Sequence, residues 1–542
     1  MGSSRARGRL TGPVRRAGAV LLAATIGVLA PGVTPIPAVA QDDAADDGGF
    51  YAEPPPLPPG TPPPPDGGGV PEETFALDTQ CVTRDLEDDI ELPNKPWGQQ
   101  YLRVEQAQTL ARSSTGSAGR YRDGRPVKVA VIDTGVTPHP FFQDRLKGVG
   151  DYVKEVPPGP GLEDCDGHGT EVAGIIAANP TDPDIGFTGV APDAEILSIR
   201  QSSQNYKKDT QQQSQPPAGD EGGGEEGQPG DGGESSELPA DEQTNGLRGS
   251  TDPAQEGPTR QLNDGETAGN VDTLAQAIVL AANNDVDVMN VSINNCREAN
   301  GQISEPERNL QAAVRYAVEV KDVVVVSAAG NTGEKCQQNN QLAPNKPRSV
   351  VTPPWFAEDV LSVAAVDENG NVAPFSVHGP WVSVAAPGTE IISLDPAKNS
   401  SKLANRMVEG SGDPMPIQGT SFAAPYVAGL AALVRTVHPD LDARQVMRRI
   451  VSTAQHPAAP DGRDNFIGYG IIDPMAALTS MVPEEEGVPP AQPKQLPSDM
   501  PPPNVRDPLP VIVAFAGAGG AVVALLIALF VVHTVRRNRR TP

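Results

Sequence analysis

Between Pro126 and Ala385 the chain repeats one pattern: a short apolar, β-branched run followed by a longer stretch with helical spacing. Val127 to Ile132, Glu195 to Ile199, Val286 to Ile293, Val323 to Ser327, Leu361 to Val366 and Val382 to Ala385 read as strands. Val271 to Asn283 and Glu307 to Lys321 read as helices between them. Strands that are apolar along their whole length must be covered on both faces, and the intervening helices supply that cover. The predicted fold class is therefore α/β, with three layers around a mostly parallel central sheet. Aromatic residues make up only 4% of the chain, so the core must be built mainly from Val, Ile, Leu and Ala.

Both ends of the sequence carry export signals. Arg5, Arg7, Arg9, Arg15 and Arg16 precede an apolar run from Ala17 to Ala30, and Ala38-Val39-Ala40 forms a small-residue cleavage site. Residues 1–40 thus read as a cleavable leader, because the apolar run is short for a retained anchor. Val511 to Val532 is 22 residues without a charge. At about 1.5 Å per residue, an α-helix of that length matches a hydrocarbon core of about 30 Å. Arg536, Arg537, Arg539 and Arg540 follow it at once, so the positive-inside rule puts the tail in the cytoplasm and the rest outside. The expected location is the cell membrane, single-pass, with the folded domain on the extracytoplasmic side. A net charge of −27 argues against a nucleic-acid partner, because phosphate binding needs the opposite sign.

Composition divides the chain further. After the leader, residues 41–124 form an N-terminal extension, acidic and then Pro-rich up to about residue 70 and with little capacity to pack there. Residues 125–480 form the α/β domain. Within it, residues 201–270 carry fourteen Asp or Glu against four Lys or Arg and no apolar periodicity, so they read as a disordered acidic insertion. Residues 481–509 form a Pro-rich stalk, 510–535 a transmembrane helix and 536–542 a cytoplasmic tail. Four cysteines (Cys81, Cys165, Cys296, Cys336) in an exported chain favour disulfides over metal, and three pairings remain open.

Three motifs carry chemistry. Val129-Ala130-Val131-Ile132-Asp133-Thr134-Gly135 places an acid directly after a buried strand, where open α/β sheets gather functional groups. The D-T-G triplet also occurs in aspartic proteases, but those need two facing aspartates and this chain offers one. Asp166-Gly167-His168-Gly169-Thr170 sets a histidine between glycines, with neither H-E-x-x-H nor a second His at ligand spacing. Gly419-Thr420-Ser421-Phe422-Ala423-Ala424-Pro425 opens a helix that is apolar nearly all round as far as Leu433, which puts Ser421 at a buried helix N-terminus. Taken alone, Thr420 or Ser421 could be no more than an N-cap. No metal site or cofactor is assigned: the chain has no D-x-D-x-D-G loop, although its exposed acids could be calcium ligands.

Asp, His and Ser in that order, each in a Gly-rich frame, is the order of the subtilisin triad. Ser327-Ala328-Ala329-Gly330-Asn331-Thr332-Gly333 resembles the frame of the subtilase oxyanion-hole asparagine, and Gly468-Tyr469-Gly470 resembles the family's closing segment. Over residues 125–480 the chain resembles the subtilase family. The resemblance implies a subtilisin-like fold and a serine endopeptidase acting on polypeptide substrates, with Asp133, His168 and Ser421 catalytic and Asn331 in the oxyanion hole. It also implies that Ser292, Ile293 and Asn294 form the strand that pairs with substrate and walls the first specificity pocket. Subtilases commonly have Gly where this chain has Asn294 and Asn295, so a narrowed or blocked pocket and limited rather than degradative proteolysis are expected.

The leader, Cys-bearing extension, acidic insertion, stalk and C-terminal helix together resemble the mycosins, the membrane-anchored subtilases of actinobacterial type VII secretion systems. A cysteine just before D-G-H-G-T, here Cys165, is typical of that group. The resemblance implies the pairs Cys81–Cys165 and Cys296–Cys336, and as partner a type VII secretion membrane complex. A scaffolding role in that complex and general extracellular degradation are the alternative functions.

Overall fold

A computed structural model describes residues 53–209, 267–487 and 509–538, with short breaks at 89, 155–158, 300–302, 334, 340–345 and 409–413. The expected leader, most of the insertion (210–266), the stalk from 488 to 508 and the last four residues lie outside the described residues.

The centre of the protein is a seven-stranded sheet: β1 (Lys128–Asp133), β2 (Leu146–Asp151), β3 (Glu195–Arg200), β4 (Val288–Val291), β5 (Val324–Ala328), β6 (Leu361–Val366) and β7 (Val384–Pro387). The spatial order is β7-β6-β5-β4-β1-β3-β2, and every neighbouring pair is parallel. Six of these strands were legible as apolar runs. The seventh, β2, was not, because Gly148 and Gly150 replace side chains where Pro160 and Leu280 crowd the edge. Helices cover the sheet in two packed pairs, Val271–Asn283 with Glu305–Arg315, and His168–Ala177 with Thr420–Val437.

From β1 the chain builds β2 and β3 on one side, then crosses to β4 on the other. The carboxyl ends of β1 and β4 therefore diverge at the switch point, and side chains placed just after them face one crevice.

Several expectations change. Ser203–Lys208, inside the segment read as disordered, is a strand pairing antiparallel with Phe75–Leu77. Its inward residues are polar, which hid the periodicity, and each finds a partner: Ser203 on Asp166, Asn205 on Thr79, Tyr206 on Glu163. The Pro-rich arm also packs. Asp66 accepts from Asn283 and from Tyr152 through its carbonyl, and Pro55 accepts from Gln311. The core starts before residue 125, since Val104, Ala107 and Ala111 of the helix Val104–Thr115 are fully buried in it. The helix expected from Glu307 begins at Glu305, capped reciprocally by Ser304 and Glu307, and its last turn, Tyr316–Val320, widens to π geometry.

Among the described residues, two helices are long and apolar enough to cross a membrane, and their surroundings separate them. Thr420–Val437 is 94% buried and is a core helix. Ile512–Arg537 has a mean hydropathy of 2.6 and buries nothing. It belongs to the helix Leu509–Asn538, which runs past the expected end at 535 through Arg536 and Arg537.

Candidate active site

Asp133 is the last residue of β1, so the sheet itself fixes its carboxylate at the crevice. His168 is the first residue of its helix, entered through Gly167, whose φ of +78° favours glycine. Ser421 is the second residue of the helix Thr420–Val437, entered through Gly419 at φ +152°. Asn331 follows β5 by way of Gly330, at φ +101°, where a Cβ would press on Val351 at 3.1 Å.

Folding brings these four together. His168 Nδ1 lies 2.7 Å from Asp133 Oδ1 and His168 Nε2 lies 2.8 Å from Ser421 Oγ. All three residues are nearly excluded from solvent, at 0%, 3% and 4% exposure for Asp133, His168 and Ser421. The Phe422 ring packs against the imidazole with centroids 4.9 Å apart. In this line a carboxylate can hold one tautomer of the imidazole, leaving Nε2 to accept the serine proton.

Asn331 Oδ1 accepts from the Thr420 N–H at 3.0 Å and from the Thr420 hydroxyl at 2.9 Å. That commits its oxygen and leaves the amide nitrogen beside Gly419. A Cβ built on Gly419 would lie 3.3 Å from Asn331 Nδ2 and 3.0 Å from Ser421 Oγ, so donor and hydroxyl flank the same small space. Such a pair of donors, an amide and a helix N-terminal N–H, can stabilise a negative oxygen beside the serine.

The three residues expected to form the substrate strand are all buried. Ser292 and Ile293 lie just beyond β4 and are 1% exposed, and Asn294 is 6% exposed. Ser292 is not free for a ligand: its hydroxyl donates to the Ser421 carbonyl at 2.8 Å and accepts from Asn290 Nδ2 at 2.8 Å.

Two contributors had only weak signals in the sequence. Thr420, readable only as an N-cap, orients Asn331. Asp164, four residues before His168, accepts from Thr134 Oγ1, Gly167 N, Thr170 N and Thr170 Oγ1 at 2.7–2.8 Å. It ties the Asp133 strand to the His168 helix, and burial pushes its carboxyl up to about 6.

Cys81 is bonded to Cys165, and Cys296 to Cys336. Among the described residues, no group of three or more His, Cys, Asp or Glu side chains is arranged to hold a metal ion.

A family model of the subtilases matches residues 124–470. Mycosin-1 of Mycolicibacterium smegmatis is 36% identical, over 81% of this chain and 84% of its own length. Mycosin-1 of Mycobacterium tuberculosis is 38% identical, over 74% of this chain and 77% of its own. Among solved structures, the serine protease MycP1, an essential component of the type VII (ESX-1) secretion system, superposes with a TM-score of 0.61 at 35% identity, covering 79% of this chain and all of that one. A chain of the intact ESX-5 inner membrane complex gives 0.63 at 36% identity, covering 89% of this chain and all of that one.

Proposed function

Because the chain belongs to the subtilase family and, within it, to the mycosins, we propose that this serine protease makes limited cuts in secreted polypeptides while anchored beside a type VII secretion complex. The observation that carries the reading is the hydrogen-bonded line Asp133–His168–Ser421, at 2.7 and 2.8 Å.

In this reading His168 Nε2 takes the hydroxyl proton as Ser421 Oγ attacks the peptide carbonyl carbon. Asp133 holds the imidazolium that results, and Asn331 Nδ2 with the Ser421 N–H donates to the oxyanion. His168 then protonates the leaving amine, and water, deprotonated by the same imidazole, hydrolyses the acyl-enzyme.

Limited cleavage is supported by Asn294, which carries a buried side chain where subtilases commonly have none. The anchor in this reading is the apolar helix Leu509–Asn538, exposed over Ile512–Arg537, and it holds the domain on the extracytoplasmic side. Mass spectrometry of the termini of secreted proteins, from wild type and a Ser421→Ala strain, tests the reading. Processed termini are expected in wild type alone, and identical termini in both strains would overturn it.

The relatives found within an ESX-5 inner membrane complex favour a second role alongside the first. The protein also stabilises the assembled complex as a subunit, and this role needs the fold and the anchor but not Ser421.

A further inference from the structure

The N-terminal extension closes around the loop that presents the histidine. Its strand Thr83–Asp85 pairs antiparallel with Arg406–Val408, which pairs in turn with Met415–Pro416, five residues before Ser421. Cys81 is bonded to Cys165, and the Val82 N–H donates to the Cys165 carbonyl at 2.9 Å. Gly167 lies beneath this strap: a Cβ there would meet Val82 at 3.0 Å and Arg84 Nη2 at 3.2 Å.

Arg84 turns inward from the strap. Its Nε lies 2.5 Å from Glu171 Oε1, and its Nη2 donates to the Asp166 carbonyl at 3.1 Å. The two side chains are 2% and 0% exposed. Asp166 and Glu171 bracket His168, two residues before it and three after it. Glu171 therefore lies on the same side of the helix as the imidazole, one turn along.

We infer that Arg84 is a positioning residue for His168, acting from outside the catalytic domain through Glu171 and the Asp166 carbonyl. The inference rests on the proteolytic reading above. A buried carboxylate must be paired, protonated or reached by water. Arg84 supplies such a pairing to Glu171 at 2.5 Å and a donor to the Asp166 carbonyl at 3.1 Å, so removing it loosens the segment on both sides of His168. The triad line leaves little slack, because both of its hydrogen bonds are short, and a displacement of about 1 Å costs about a hundredfold in rate. The extension thus supplies part of the active-site frame.

The test uses the full chain in detergent and a biotinylated alkyl fluorophosphonate, whose phosphorus bonds to Ser421 Oγ as fluoride leaves and the hydroxyl proton passes to His168. The readout is the second-order labelling rate per folded molecule, with folding followed by thermal melting. Wild type is expected to label and Ser421→Ala not to. Arg84→Ala is expected to label about ten- to a hundredfold more slowly while still melting cooperatively. Arg84→Lys keeps the charge and is expected to recover most of the rate. The paired change Arg84→Met with Glu171→Leu removes both charges, and is expected to return to within about threefold of wild type, since an apolar pair can replace a buried ion pair. If Arg84→Ala does not fold, the lysine and paired variants decide. Wild-type rates in Arg84→Ala, or a paired variant that folds but labels as slowly as a singly disrupted one, would refute the positioning role alone. Absence of labelling in wild type would overturn the proteolytic reading and this inference together.

Discussion

The hydroxyl of Ser292 donates to the main-chain carbonyl of Ser421 at 2.8 Å. In an α-helix that carbonyl bonds to the N–H four residues on, but that residue is Pro425, which has none. Ser292 supplies the missing donor from beyond β4, so the nucleophile's own turn is completed by another strand. Ser292→Ala is expected to leave a buried carbonyl unsatisfied, at a cost of about 1–3 kcal/mol in stability, with a slower enzyme. Adding Pro425→Ala restores an N–H and is expected to recover part of that loss. A double-mutant cycle by urea denaturation checks it, and strict additivity would exclude the compensation.

Ser421→Ala and His168→Ala are each expected to abolish peptidase activity with the fold intact. In subtilisin either loss costs about 10⁶ in kcat, because the triad acts as a unit. Asn331→Ala removes one oxyanion donor, and is expected to lower kcat by about 10²–10³ with little change in KM. Steady-state kinetics on one peptide substrate, with melting curves for each variant, measures both effects.

Asp164 predicts a stability change with pH. Burial raises its carboxyl from 3.8 to about 6 against the pull of hydrogen bonds from Thr170 and Thr134. Between about pH 4 and pH 6 the folded protein keeps a proton that the unfolded chain has released. Its stabilising contribution is therefore complete below about pH 4 and lost as pH rises through about 6. In Asp164→Asn this dependence disappears. The stability difference between variant and wild type is expected to change by up to about 3 kcal/mol across that window and to be flat above it. Urea midpoints measured from pH 4 to pH 8 decide it, and a constant difference throughout would contradict the assignment.

The two disulfides close loops of different length, 84 residues for Cys81–Cys165 and 40 for Cys296–Cys336. Loop-closure entropy gives about 4–5 kcal/mol for the first and about 4 kcal/mol for the second, as upper values. Replacing Cys81 and Cys165 by serine also frees the strap that carries Arg84. That variant is expected to lose labelling rate as well as melting temperature, whereas serine at Cys296 and Cys336 leaves the strap in place. Equal labelling by both double variants would separate the strap from the active site.

Catalysis and assembly are expected to divide by mutation. In the scaffolding reading the protein is a subunit that binds its assembled neighbours, so deleting it is expected to weaken the membrane complex. Ser421→Ala is expected to leave the complex intact and to stop only substrate trimming. Removing residues 511–542 is expected to leave an active enzyme that no longer supports secretion, because the anchor supplies its high local concentration. Native electrophoresis of solubilised membranes follows all three strains, and collapse of the complex in Ser421→Ala would sink the scaffold role.

Much of this protein was legible in its residues because the signals are local. Strand after strand of β-branched residues requires a sheet buried on both faces, and Gly-rich frames mark Asp133, His168 and Ser421 as sites where the backbone turns sharply. The uncharged run from Val511 to Val532 and the arginines after it define an apolar helix by length and composition. The rest depended on partners far apart in the chain. Residue spacing left three cysteine pairings open, and the fold joins Cys81 to Cys165 across 84 residues. The strand Ser203–Lys208 had no periodicity to read, since its inward side chains are polar and each is satisfied by a residue elsewhere. Arg84 and Glu171 look like ordinary polar residues in one dimension, and nothing in the sequence ties the Ser292 hydroxyl to the Ser421 carbonyl. A buried charge or hydroxyl takes its role from whatever the packed structure sets against it, and only the tertiary structure decides that partner.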